Sequence, residues 1–285
     1  MTPLAFPPQP YNLPAPQVDP GASLSIGVAK LHMPTLDEIR QTAAPLLHTH
    51  PFAPTQLALE DDIAELKELA QMRKATLVAC HDKNRERADL SWFLNRRVKG
   101  VGIDQQHRVG GPEIETGEDL ARWFENDTPL LAGWMALNSL FKESPKPPTL
   151  QAEIWAALNL SIHTALLAAW HYKWMEPQTR MKPRPSEVDA SLSVLYAKAE
   201  SGAFSGVPRH PSYPSGHSTV GGATSAVLKH YFCEVPWAAK ELDKLADNAG
   251  LARMWAGIHY RADHTFGVAL GEAVAQLVIQ PSARP

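Results

Sequence analysis

From Thr149 to Lys173 the chain sets Ile154, Leu158, Ile162, Leu166 and Trp170 four residues apart, a spacing that collects apolar side chains on one face only in an α-helix. Nineteen residues of this stretch, Ile154 to Tyr172, carry no formal charge. Length alone would suit a membrane span, but Asn159, Ser161, His163, Thr164 and His171 interrupt it and the sequence offers no second candidate. The stretch is read as a buried core helix, with no membrane span. The other periodic segments repeat at helical spacing too. Ile63, Leu66, Leu69 and Ala70 mark a stripe in a helix over Leu57–Ala88, with Thr55 placed to cap it. Further helices are expected over Glu118–Phe124, Pro129–Phe141, Val188–Glu200, Ser215–Tyr231, Trp237–Ala256 and His264–Gln280. With no strand run of useful length, the fold class is expected to be all-α, a helical bundle.

Residues 24–285 are long enough for one large domain. Residues 1–23 hold no Lys or Arg and no apolar core, and seven of the first twenty are proline. They read as an extended Pro-rich arm rather than a secretory signal, so a cytoplasmic location is expected. A net charge of −3 argues against a nucleic-acid or acidic-membrane surface. Cys80 and Cys233 make no disulfide framework and are expected to be buried free thiols. His48 and His50 lack further ligands for a metal.

Chemistry concentrates in three strings. The first is Lys173 followed by Arg180 and by Arg184-Pro185, the second Pro214-Ser215-Gly216-His217, the third Arg253-x5-His259-x3-Asp263. Each alone is ordinary: a lysine favoured at a helix C-terminus, a capped helix start, a local His–Asp hydrogen bond. Together they supply cations, a helix N-terminus whose free N–H groups bind anions, and two imidazoles. A carboxylate four residues after His259 would fix its tautomer and sharpen the other ring nitrogen as ligand or nucleophile. That inventory fits a tetrahedral oxyanion.

The strings resemble the superfamily of type-2 phosphatidic acid phosphatases, bacterial class A acid phosphatases and vanadium-dependent haloperoxidases, with its signature K-x6-R-P, P-S-G-H and S-R-x5-H-x3-D. The resemblance covers about 90 residues, Lys173 to Asp263. The second string is complete, and the third matches except that Ala252 stands at the serine position. In the first, Arg180 has the family spacing but precedes Met181, and Arg184-Pro185 comes four residues late. A loop insertion would make Arg184 the ligand, with Arg180 the alternative. Pro211–His217 and Gly257–Asp263 are worded like the haloperoxidase branch.

The resemblance implies a helical bundle with its site among the helices. It implies an oxyanion held by Lys173, Arg184 or Arg180, Ser215, Gly216 and Arg253, with His259 and His217 catalytic and Asp263 orienting His259. As a haloperoxidase the protein would carry vanadate on His259, activate peroxide and oxidise halide, with His217 managing protons. As a phosphatase it would need no cofactor: His259 would attack a phosphate ester, His217 would protonate the leaving alcohol, and phosphate or vanadate would bind as ligand or inhibitor. A non-catalytic anion-binding scaffold is the third reading. The expected partners are small molecules, and a homo-oligomer is left open.

Overall fold

The structure is a computed structural model that describes residues 31–52, 55–74, 116–126, 129–195 and 207–279. The Pro-rich arm expected over 1–23 and Cys80 lie outside the described residues. Among the described residues the secondary structure is helical, as expected: α1 Leu36–Thr49, α2 Gln56–Met72, α3 Gly117–Asn126, α4 Pro129–Glu143, α5 Pro148–Trp174, α6 Pro185–Val188, α7 Gly216–Tyr231, α8 Ala238–Trp255 and α9 Arg261–Ile279.

Helix α1 was not anticipated. Its signal is a capping box, in which Glu38 N–H donates to Thr35 Oγ1 at 3.3 Å and Thr35 N–H to Glu38 Oε2 at 2.7 Å. These bonds hold the Glu38 carboxyl down at about 2. Thr55 caps α2 as the sequence indicated, accepting from Ala58 N–H at 3.1 Å. The helix expected to run to Ala88 stops at Met72. Arg73 is drawn inward there, its Nε donating to Trp255 O at 2.8 Å and Nη2 to Ser193 O at 2.7 Å. The helix expected over Val188–Glu200 is also corrected: α6 ends at Val188, and 189–195 is not helical. Asp189 accepts from Ser191 N–H at 2.8 Å and pairs with Lys67 at 2.6 Å, competing with continued helix.

The unit Leu31–Pro285 is organised around α7, whose residues from Ser218 to Leu228 are all buried, with α9, α8 and α5 packed against it. Small residues permit that approach. A Cβ at Gly222 would fall 2.2 Å from Val268 O, and one at Gly271 would fall 2.1 Å from Thr219 O. Helix α5 is long and apolar enough to cross a bilayer, and half of its most apolar window is buried inside the protein. Ile154, Ala157 and Leu158 are fully buried, while Leu167 and Trp170 are exposed.

Candidate active site

The site forms where α5 ends, α7 begins and α8 hands over to α9. Gly257 makes the last junction possible. At φ +77° it sits one residue beyond the C-cap of α8 in the left-handed region that glycine enters freely. Gly257 N–H then bonds Met254 O at 2.8 Å, and Ile258 N–H bonds Arg253 O at 3.1 Å. The chain reverses within two residues, and His259 emerges beside the turn that carries Arg253.

His259 and Asp263 are both buried and bond directly, with Nδ1 donating to Asp263 Oδ2 at 2.6 Å. The same oxygen accepts from Ser212 Oγ at 2.5 Å and Tyr260 N–H at 3.1 Å. Burial raises the Asp263 carboxyl to about 6, against the opposing pull of Ser212, Lys173 and Arg184. On the far side of the ring, Arg184 Nη1 donates to His259 Nε2 at 3.1 Å. An arginine can only donate, so Nε2 presents its lone pair and Nδ1 carries the proton. Burial, then Arg184, Lys173 and Arg253, push the ionisation of His259 well below its usual value. The ring is neutral at ordinary pH.

The two arginines of the first string are placed differently. Met181 N–H bonds Lys173 O at 2.9 Å and Thr179 Oγ1 donates to Tyr172 O at 2.7 Å, closing a loop on the end of α5. Met181 takes φ 60° to make it. Arg180, the alternative ligand, is exposed on this loop. The loop absorbs the extra residues and delivers Arg184, which is 1% exposed. Besides His259, its guanidinium donates to His210 O at 3.0 Å, Ile258 O at 2.7 Å and His210 Nδ1 at 3.1 Å. Burial lowers it to about 10. Lys173 is fully buried, donates to Pro211 O at 2.6 Å and Ser212 O at 2.8 Å, and is lowered to about 7 by burial and by Arg184.

Ser215 is the N-cap of α7 and accepts from Ser218 N–H at 3.3 Å, which leaves its hydroxyl proton for another acceptor. Its own N–H bonds Asp263 O at 2.9 Å, which ties the second string to the third. A Cβ at Gly216 would meet only Trp170 at 3.5 Å and Leu166 at 3.9 Å, ordinary contacts. Nothing inside the protein therefore demands glycine there, as a ligand lying against the helix start would.

Arg253 is buried and turns toward α3, donating to Glu125 Oε2 at 2.9 Å while its buried Nε has no partner among the described residues. His217 Nε2 donates to Phe124 O at 3.1 Å, and burial with Arg253 lowers its ionisation to about 3. Lys173, Arg184, Ser215, His259 and Asp263 thus form one bonded cluster. Arg253 and His217 adjoin it through α3.

Sequence reasoning missed Ser212 and Glu125 and set His210 aside. Ser212 stood in plain view inside Pro211–His217. Glu125 has no local signal, because its partner lies 128 residues away. The His210 ring packs on Trp170 at 5.1 Å. Cys233, expected to be buried, is exposed.

No group of three or more His, Cys, Asp or Glu that could cage a metal cation occurs among the described residues. Among the same residues the donor set instead fits an oxyanion: an imidazole lone pair, an unpaired buried Arg253 Nε, a free Ser215 hydroxyl proton and the space beside Gly216.

The PAP2 superfamily model matches residues 156–283. The vanadium-dependent bromoperoxidase of Corallina officinalis is 38% identical over 111 residues, 30% of this chain and 18% of that protein. That of Ascophyllum nodosum is 34% identical over 95 residues, 24% of this chain and 17% of its own. The chain thus matches less than a fifth of the length of these curated relatives. The homohexameric second vanadate-dependent bromoperoxidase of Ascophyllum nodosum superposes over 89% of this chain and 68% of its own, with a TM-score of 0.56 at 16% identity, a likeness of fold. The stretch that matches the PAP2 superfamily model, residues 156–283, carries the whole bonded cluster from Lys173 to Asp263.

Proposed function

We propose that this protein is an enzyme that binds one tetrahedral oxyanion against His259 and, with vanadate there, oxidises halide at the expense of hydrogen peroxide. The state of His259 carries the proposal: a neutral ring, its Nδ1 proton held by Asp263 and its Nε2 lone pair turned toward Arg184. Lys173, Arg184 and Arg253 would balance the anion's charge. Ser215 Oγ and the N–H of Gly216 would donate to its oxygens. Bound vanadate would supply the centre on which peroxide is activated toward halide. His217, with Nε2 committed to Phe124 O, would take or return a proton at Nδ1. The halide-oxidising branch is favoured by the bromoperoxidases among the curated relatives and by the wording of Pro211–His217 and Gly257–Asp263.

The same lone pair supports a second reading. His259 Nε2 would attack the phosphorus of a phosphate ester, a His217-borne proton would leave with the alcohol, and water would then cleave the phosphohistidine. A pocket complementary to a five-coordinate transition state serves either chemistry. In both readings α5 acts as a core helix rather than a membrane span, since its buried face packs on α7 and α9. A homo-oligomer is proposed from the exposed Leu167, Trp170 and Trp174 along α5, and sedimentation tests it.

The decisive assay gives purified protein vanadate, peroxide and bromide, and in parallel a chromogenic phosphate ester. Halogenation that requires vanadate supports the first reading, and ester hydrolysis blocked by vanadate the second. Silence in both leaves the anion-binding scaffold.

A further inference from the structure

A second chain of polar contacts lies beside the cluster. Ser218 Oγ is 3.0 Å from His264 Nδ1, and His264 Nε2 is 3.4 Å from Asp247 Oδ1. Ser218 and His264 are buried, and the Asp247 side chain is 47% exposed. With the Nε2 proton facing the carboxylate, Nδ1 accepts from the Ser218 hydroxyl. The order is that of a nucleophilic triad, but Ser218 is fully buried and no substrate can reach it.

The packing shows what the chain does instead. A Cβ at Gly250 would fall 1.9 Å from His264 Nδ1 and 2.5 Å from Ser218 Oγ, so α8 leaves a slot that only glycine opens. The slot's other walls are the first turns of α7 and α9. Ser218 N–H bonds the Ser215 cap, and Ser215 N–H bonds the carbonyl of Asp263, the residue before His264. Three helices that each carry part of the pocket meet on one imidazole.

We propose that His264, gripped between Ser218 and Asp247, is a positioning residue for the pocket. It locks the start of α9, which holds Asp263, against the start of α7, which presents Ser215 and Gly216. The spacing between His259 and the anion-binding N–H groups is thereby fixed. The inference rests on reading the pocket as an oxyanion site but is independent of which chemistry runs there.

Vanadate alone is the probe, titrated calorimetrically and by vanadium NMR against the full chain. His264→Ala is expected to lose roughly 10- to 100-fold in vanadate affinity and to shift the bound resonance. His264→Asn, whose amide can still meet Ser218, is expected to recover much of that loss. Asp247→Asn, altered at a half-exposed carboxylate, is expected to fall between and carries the test if His264→Ala does not fold. If the wild type binds vanadate and both His264→Ala and Asp247→Asn bind it equally well, the positioning role is overturned and the pocket reading stands. A loss in His264→Ala that His264→Asn does not restore, accompanied by a matching fall in melting temperature, also overturns it. A wild type that binds no vanadate overturns the pocket reading and this inference together.

Discussion

Asp263→Asn keeps the shape of the side chain and removes its charge. Three donors converge on Oδ2, from His259, Ser212 and Tyr260. A hydrogen bond to a charged group contributes about 1.5–3 kcal/mol against 0.5–1.5 for a neutral one, so His259 alone loses about 1–1.5 kcal/mol of orientation. That is roughly tenfold in rate if the ring keeps its tautomer. If the new amide turns its NH₂ toward Nδ1, the proton moves to Nε2 and confronts Arg184 Nη1, now 3.1 Å away, and the lone pair is lost. The comparable exchange in serine proteases drops turnover by about 10⁴. Turnover of whichever activity appears should therefore fall between these limits. Stability should move the other way. The fold raises the carboxyl to about 6, above its value in an unfolded chain of about 3.9, so the folded state holds the proton more tightly. Each step in pH between about 4 and 6 then destabilises the wild type relative to the unfolded chain, and above that window the variant is spared this penalty. Calorimetry at pH 8 should show Asp263→Asn melting at or above the wild type, and steady-state kinetics should show the loss of turnover. A variant that melts well below the wild type at pH 8 while turning over normally would refute both the tautomer and the electrostatic argument.

Three other outcomes follow from the same geometry. Arg184→Ala should abolish anion binding measurable by calorimetry, while Arg180→Ala, altered on an exposed loop, should bind as the wild type. Burial and Arg184 lower Lys173 to about 7, so vanadate affinity should decline as pH rises through neutrality, and Lys173→Met should flatten that pH profile. Gly271→Ala drives a methyl to within 2.1 Å of Thr219 O; overpacking of this kind destabilises by about 1–3 kcal/mol, read as a lowered midpoint in urea.

The helical class was legible because the apolar spacing of α5, α7, α8 and α9 is set locally. The misjudged boundaries lie where a distant partner intervenes. Helix α2 stops because Arg73 reaches Trp255 and Ser193, and the helix expected after Val188 yields to the Asp189 side chain and Lys67. Much the same division holds at the site. His259 with Asp263, Gly257 as the turn and Ser215 as the cap are short-range relations that spacing can state. The choice between Arg180 and Arg184 depended on a loop closed by Met181 on Lys173 O, and the pairing of Arg253 with Glu125 on a helix far back in the chain. No periodicity encodes either.

The partners of the cations bear on the proposed oxyanion site. Lys173 and Arg184 are buried, yet their donors go to the carbonyls of Pro211, Ser212, His210 and Ile258 and to two imidazole nitrogens. A structural ion pair would set a carboxylate against each. Backbone carbonyls satisfy the hydrogen bonds of a buried cation while leaving its net charge uncancelled. The result is desolvated positive charge, visible in the lowered ionisation of Lys173 and Arg184. An arriving oxyanion would reverse that shift in both, so its binding should take up protons wherever Lys173 is partly deprotonated. Calorimetry of vanadate binding at pH 8 in buffers of different ionisation enthalpy should therefore show proton uptake, and uptake should vanish in Lys173→Met. Binding at that pH with no exchange of protons would mean that the lysine is already fully charged and that its burial does not store the potential attributed to it.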